Sequence, residues 1–248
     1  MVIKVCGMRD AGNIREVEAL YSQRSTLNPQ RSTLNAQPLM GFIFWPKSSR
    51  FVSERPAYLP EKCKRVGVFV DEEVENVCRI ADDYALDFIQ LHGKESPAYL
   101  SLLREQLEDG KALIKAFNIA TPADLSLTTD YEGIADYFLF DTKGKSVGGN
   151  GEKFDWSVLS AYQGSTPFLL SGGIGPDDAE RVNAFRHPRC IGIDLNSRFE
   201  VKPGVKDVTA LARFLDELSH LSPLTSHLSP LTSKMENVKH TTFKIQQR

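Results

Sequence analysis

The feature that most constrains this chain is an alternation repeated eight times. Short runs rich in β-branched and aromatic residues recur at Val2–Val5, Met40–Phe44, Arg65–Val70, Phe88–Leu91, Ala112–Phe117, Tyr137–Phe140, Phe168–Leu170 and Cys190–Leu195. Between and after them lie helix-like stretches at Asn13–Leu20, Glu54–Leu59, Glu73–Tyr84, Pro97–Leu107, Pro122–Leu127, Trp156–Tyr162, Pro176–Phe185 and Asp207–Leu218. Strands that are apolar almost throughout suit a parallel sheet covered on both faces. Eight strand–helix units predict an α/β chain closed into a single (β/α)8 (TIM) barrel over residues 1–218. A length of 248 residues fits one such barrel, which typically takes about 250.

Two regions break the alternation. Gln23-Arg24-Ser25-Thr26-Leu27-Asn28 recurs at 30–35, and Ser219-His220-Leu221-Ser222-Pro223-Leu224-Thr225 recurs at 226–232. Tandem copies this short, present twice, do not build a solenoid. Polar, Ser/Thr/Pro-rich sequence buries too little apolar area to offset the entropy of ordering it. Both regions are therefore expected to be mobile. The first falls between the first helix and the second strand. The second opens a flexible C-terminal extension, 219–248.

Several classes of function are disfavoured. A net charge of -2 gives no general attraction to nucleic acid or to an anionic membrane. No apolar run approaches the roughly 18 residues needed to span a bilayer. Met1–Cys6 reads directly as a strand and lacks the zones of a signal peptide. Cys6, Cys63, Cys78 and Cys190 are scattered, without C-x-x-C or metal-ligand spacing, as expected of reduced thiols in a cytoplasmic protein.

In an α/β barrel the C-terminal ends of all strands face one site. Cys6 follows the first run and Asp141 the sixth, so residues far apart in sequence would face one substrate. A thiol and a carboxyl can serve as base and acid for a proton-shifting reaction. Ser171-Gly172-Gly173-Ile174 follows the seventh strand, and Asp194-Leu195-Asn196-Ser197 ends the eighth. Barrels frequently bind phosphate where these two loops meet, on backbone N–H groups that glycine leaves uncovered. Gln90 and His92 differ by two and share one face of an extended segment; His92 either orients substrate or Cys6, or is a structural histidine. Arg50, in Trp45–Phe51 after the second strand, either pairs with a carboxylate or is a solvated surface arginine. Gly148-Gly149-Asn150-Gly151 suits a loop that closes over a ligand, and Asp155 a helix N-cap.

Taken in order, KVCGMRD at 4–10, GFIFWPKSSRFV at 41–52, VGVFVDE at 66–72, IQLHGKE at 89–95, LFDTKGKSVGGNGEKFDW at 139–156, LLSGGI at 169–174 and GIDLNSRFEVKPGVKD at 192–207 resemble the phosphoribosylanthranilate isomerase family of tryptophan biosynthesis. The resemblance implies an Amadori rearrangement of N-(5-phosphoribosyl)anthranilate with no redox cofactor and no metal. It implies Asp141 as general acid, Cys6 as general base and Arg50 on the anthranilate carboxylate. The phosphate would lie on Gly172, Gly173 and the Asp194–Ser197 loop, with Gln90 and His92 lining the substrate site. The implied partner is that small anthranilate-bearing phosphosugar, with neither nucleic acid nor membrane, acting on a monomer or homodimer. Other phosphosugar barrels fit less well: a synthase of this kind calls for a catalytic lysine and glutamate in early strands, an epimerase for paired carboxylates and often histidine ligands. One departure stands out. The family commonly has a small residue or glycine after the serine of the eighth loop, where this chain has Arg198-Phe199. That bulk is expected either to crowd the phosphate or to turn Arg198 into solvent.

Deletion of residues 219–248 is expected to leave the melting temperature within a few degrees, since few buried contacts would go with it. Slow amide exchange between Asn237 and Ile245 in the full chain would show instead that the extension is docked.

Overall fold

The computed structural model describes residues 1–27, 37–142 and 155–220. Eight parallel strands close into a barrel in sequence order: β1 (Val2–Val5), β2 (Leu39–Ile43), β3 (Lys64–Phe69), β4 (Phe88–Leu91), β5 (Ala112–Ile119), β6 (Tyr137–Thr142), β7 (Phe168–Ser171) and β8 (Cys190–Leu195). The barrel shuts where β1 pairs with β8, with Lys4 in register with Asp194. Every strand lies where the alternation predicts it, with ends moved by at most two residues.

The period of two along each strand divides the side chains. One set points inward: Val2, Leu39, Val66, Phe88, Ile114, Ala116, Leu139 and Leu169 form a single buried cluster drawn from β1 to β7. Neighbours of opposite parity, such as Ile3, Met40, Phe138, Phe140 and Phe168, join the larger core beneath the helices. Phe140 is fully buried there, with ring centroids 4.6 Å from Phe168 and 5.2 Å from Tyr162.

The α-helices are α1 (Ala11–Leu27), α2 (Val74–Asp83), α3 (Pro97–Gln106), α4 (Ala179–Ala184) and α5 (Val208–His220). Their apolar residues recur at helical spacing. Val74, Val77, Ile80 and Ala81 of α2 are buried, as are Leu211, Phe214, Leu215 and Leu218 of α5. Helix starts follow local chemistry. Ser96 accepts from the Tyr99 amide before Pro97, and Asp207 accepts from the Ala210 amide at 2.9 Å. Asp155 likewise accepts from the Ser157 amide, the N-cap expected of it.

The helices depart from expectation more than the strands. Glu54–Leu59 forms no helix. Pro56 and Pro60 remove amide donors and bias the residues before them away from helical angles. The stretches after β5 and β6 are 3₁₀ turns, Pro122–Tyr131 and Trp156–Ala161. In the former, Thr121 and Asp124 set the start. α4 begins at Ala179 rather than Pro176, because the Asp178 carboxylate turns back to the Gly175 amide at 2.8 Å. Gln23–Leu27, expected to be mobile, completes α1; nothing there breaks a helix before Pro29. Its repeat at 30–35, the 148–151 glycines and residues 221–248 lie outside the described residues, and α5 extends two residues past the expected boundary. A short antiparallel hairpin, β9 (Glu200–Lys202) and β10 (Val205–Lys206), was not anticipated; Pro203-Gly204 makes its turn, with Gly204 at φ +84°. Among the described residues no helix is long and apolar enough to cross a membrane.

Phe140→Ala is expected to cost about 3–5 kcal/mol, as truncation of a fully enclosed ring does. Urea unfolding followed by circular dichroism measures it, and a loss below 1 kcal/mol, taken as roughly the scale of a surface change, would contradict the packing described.

Candidate active site

A cavity of about 370 Å³ opens at the C-terminal ends of the strands. It is walled by Cys6 after β1, Ile43 and Trp45 at β2, Val68 and Val70 at β3, Gln90 and His92 at β4, Asn118 at β5 and Asp141 at β6, with Ser171 to Ile174 at the end of β7 and Asp194, Asn196, Ser197 and Arg198 at the end of β8. Most of these residues continue the inward parity of their strands. Cys6 stands two beyond Lys4, and Asp141 is in register with both Asn118 and Ser171. Of the residues expected at the site, Cys6, Gln90, His92, Asp141, Gly172, Gly173, Asp194, Asn196 and Ser197 share this one cavity. Arg50 is not on its wall.

Beneath Cys6 lies a charge that sequence reasoning passed over. Lys4 is fully buried inside the barrel, and its Nζ donates to Asp194 Oδ1 at 2.8 Å. Ser171 Oγ donates to the other oxygen of Asp194 at 3.3 Å. The Lys4 ammonium and the Cys6 thiol are also electrostatically coupled. The signal was present: a lysine inside an otherwise apolar strand, on the same parity as Cys6. Gly41 of β2 makes the approach possible. A Cβ there would sit 2.9 Å from Cys6 Sγ and 3.3 Å from Lys4 Cε. Burial pushes the thiol up from its ordinary value, Lys4 pulls it back, and the Asp194 charge adds to the rise. The Lys4 ammonium is itself opposed by burial, yet Asp194 and Cys6 hold it above the usual lysine value.

Across the cavity, Gln90 Nε2 lies 3.2 Å from His92 Nδ1, and His92 Nε2 lies 3.6 Å from Asp141 Oδ2. With the Gln90 amide as donor, Nδ1 accepts and the neutral ring carries its proton on Nε2, toward Asp141. Among the described residues Gln90 Oε1 is buried without a hydrogen-bond partner.

Arg50 is turned toward β9. Its Nε and Nη2 grip Glu200, with contacts of 2.6–3.0 Å. Lys206 binds the same carboxylate at 2.7 Å and the Asn196 side-chain oxygen at 3.0 Å. Burial opposes the Glu200 charge, but Arg50 and Lys206 together hold its carboxyl below the usual range. The loop after β7 places Gly172 at φ +93° and Gly173 at φ +67°, where side chains are strained. Of the two alternatives expected at the departure after β8, the structure shows the second, with Arg198 turned to solvent. Phe199 points down into the core with its ring centroid 5.0 Å from Phe214, and Arg198 lies exposed at the rim. Among the described residues no group of three or more His, Cys, Asp or Glu side chains is gathered to hold a metal ion.

Comparison with known proteins places this geometry. Residues 25–217 match the family described as N-(5'phosphoribosyl)anthranilate (PRA) isomerase. The N-(5'-phosphoribosyl)anthranilate isomerase of Parabacteroides distasonis is 48% identical over 226 residues, covering 89% of this chain and 94% of that protein. The crystal structure of phosphoribosyl anthranilate isomerase from Thermus thermophilus superposes with a TM-score of 0.68 at 28% identity, covering 90% of this chain and 100% of the other. A phosphoribosyl anthranilate isomerase solved in complex with reduced 1-(o-carboxyphenylamino)-1-deoxyribulose 5-phosphate gives 0.63 at 27% identity, covering 88% and 98%.

The position of Lys4 sets an expectation for pH. Iodoacetamide labelling of Cys6, located by peptide mass spectrometry, should begin at higher pH than in an unfolded peptide, since burial raises the thiol. Lys4→Gln should move the onset higher still. An onset below that of the peptide, or one indifferent to Lys4, would contradict this electrostatic arrangement.

Proposed function

The chain belongs to the N-(5'-phosphoribosyl)anthranilate isomerase family, and from that premise we propose how its own residues carry the reaction. It is an isomerase of tryptophan biosynthesis, an intramolecular oxidoreductase that converts N-(5-phosphoribosyl)anthranilate to 1-(2-carboxyphenylamino)-1-deoxyribulose 5-phosphate. Asp141 donates a proton to the ribose ring oxygen as its bond to C1′ breaks. The lone pair of the anthranilate nitrogen fills the gap, leaving an iminium. Cys6, as thiolate, removes the proton from C2′; that electron pair forms the C1′=C2′ bond, and the iminium pair returns to nitrogen. The enolamine takes a proton at C1′ while its C2′ hydroxyl gives one up, and it becomes the ketone. The observation that carries this assignment is the opening of Cys6 and Asp141 into one cavity, from strands on different sides of the chain's order.

The surroundings support these roles. A buried thiolate needs a counter-charge, and the Lys4 ammonium, fixed by Asp194, favours the charged form of the sulfur. His92, its tautomer set by Gln90, steadies Asp141. Gly172, Gly173, Asn196 and Ser197 receive the phosphate through backbone N–H groups. Asp194 takes a different part from the one first expected. Its carboxylate is committed to Lys4 and Ser171 and would repel a phosphate, so it acts by fixing Lys4. Arg50 meets the anthranilate carboxylate with the face of its guanidinium that Glu200 does not occupy, Glu200 holding it in place. Four free thiols suit a cytoplasmic location.

The anthranilate group makes the reaction visible by fluorescence. Cys6→Ser and Asp141→Asn should each bind a product analogue normally and lose at least about two orders of magnitude in turnover. Neither should rescue a tryptophan auxotroph lacking this step. Near-normal turnover in Cys6→Ser would remove the base assignment, and in Asp141→Asn would transfer the acid role to His92.

A further inference from the structure

One cation at the cavity is left over by this scheme. Arg198 lines the wall beside Gly172, Gly173 and Ser197. Its backbone is fixed from both sides. The Phe199 amide donates to the Asn196 carbonyl at 3.1 Å, and the Phe199 carbonyl accepts from the Asp207 amide at 2.8 Å. The Phe199 ring below is fully buried. The stem of Arg198 passes over the β7 loop: a Cβ on Gly175 would meet its Cβ at 3.6 Å and its Cγ at 3.8 Å. Four other cations near the site are paired among the described residues, Lys4 with Asp194, Arg50 and Lys206 with Glu200, Lys115 with Glu95. Among the described residues no carboxylate pairs with Arg198. In the same cavity, a Cβ on Gly173 would meet no atom of the described residues within 4 Å.

We propose that Arg198 is a phosphate ligand, laying its guanidinium over an anion cradled by the Gly172–Gly173 backbone. The proposal rests on the reading that the substrate phosphate binds between the β7 and β8 loops. Backbone amides there supply direction and partial charge. They share the neighbourhood with the Asp194 carboxylate, and a full positive charge with two parallel donors improves the balance. The phosphate lies at the far end of the substrate from C1′ and C2′. Arg198 therefore contributes uniform binding, which appears in KM and not in kcat. Because the side chain is exposed, salt weakens the contribution.

The test is competitive inhibition by inorganic phosphate in wild type, Arg198→Gln and Gly173→Ala, with anthranilate as a second inhibitor. Arg198 is exposed, so its variant folds, and a melting curve verifies it. In Arg198→Gln the phosphate inhibition constant and the KM should rise about five- to tenfold, as for loss of one partly screened charge-assisted pair. The change should shrink at high salt, with kcat and anthranilate inhibition unchanged. Gly173→Ala checks the underlying reading separately, since a side chain at φ +67° disturbs the cradle itself. If Gly173→Ala abolishes phosphate inhibition while Arg198→Gln leaves it unaltered, the cradle stands and the arginine proposal falls. If neither variant alters phosphate inhibition, the phosphate reading falls with it.

Discussion

The buried pair of Lys4 with Asp194 is the interaction on which the site depends. It spans the seam where the first strand meets the last, so the same contact that closes the barrel also fixes a positive charge under Cys6. Two charges taken from water are expensive, and their mutual attraction repays that only when the remaining hydrogen-bonding positions are filled. Here Ser171 takes the second oxygen of Asp194, and Cys6 adds to the attraction that favours the Lys4 charge. Removing Asp194 would leave an uncompensated ammonium in an apolar barrel. Removing Lys4 would leave a carboxylate and a thiol facing each other.

The rim repeats the device with different parts. Glu200 is gripped by Arg50 from the β2 loop and by Lys206 from the hairpin, and Lys206 reaches on to Asn196. Glu95 pairs with Lys115 and accepts from the Asp71 and Gly93 amides, which pins the turn carrying His92. The β2 loop and the turn carrying His92 are thus each held by a carboxylate from a neighbouring element. Catalytic groups on loops need such ties, because the loops have little apolar area with which to hold themselves.

The barrel was legible because its signal is redundant. Eight apolar runs, each four to eight residues long, must all be buried, and the parity of two that buries them also aims Cys6, Gln90, His92 and Asp141 inward. The helical layer was less legible, since Glu54–Leu59 has an amphipathic look but Pro56 within it and Pro60 just after it decide against a helix. Lys4 escaped notice because a lysine in a strand is usually discounted as an edge residue, and only its parity with Cys6 marks it. The pairing of Arg50 with Glu200 joins positions 150 residues apart, and no local pattern encodes it. Phe199 was read as bulk at the phosphate when its role is to enter the core against Phe214; direction of a side chain at a turn follows from packing, not from residue type.

The alternation of inward and outward residues along each strand has a consequence for how such a chain can diverge. Chemistry is written in one residue of every two, and adhesion to the helical jacket in the other. A lineage can therefore rewrite the letters at 6, 43, 68, 90, 118 and 141 to recognise another sugar while the letters between them go on holding the same shell together. Innovation and durability occupy interleaved but separate alphabets, so a change of trade need not begin with a loss of shape.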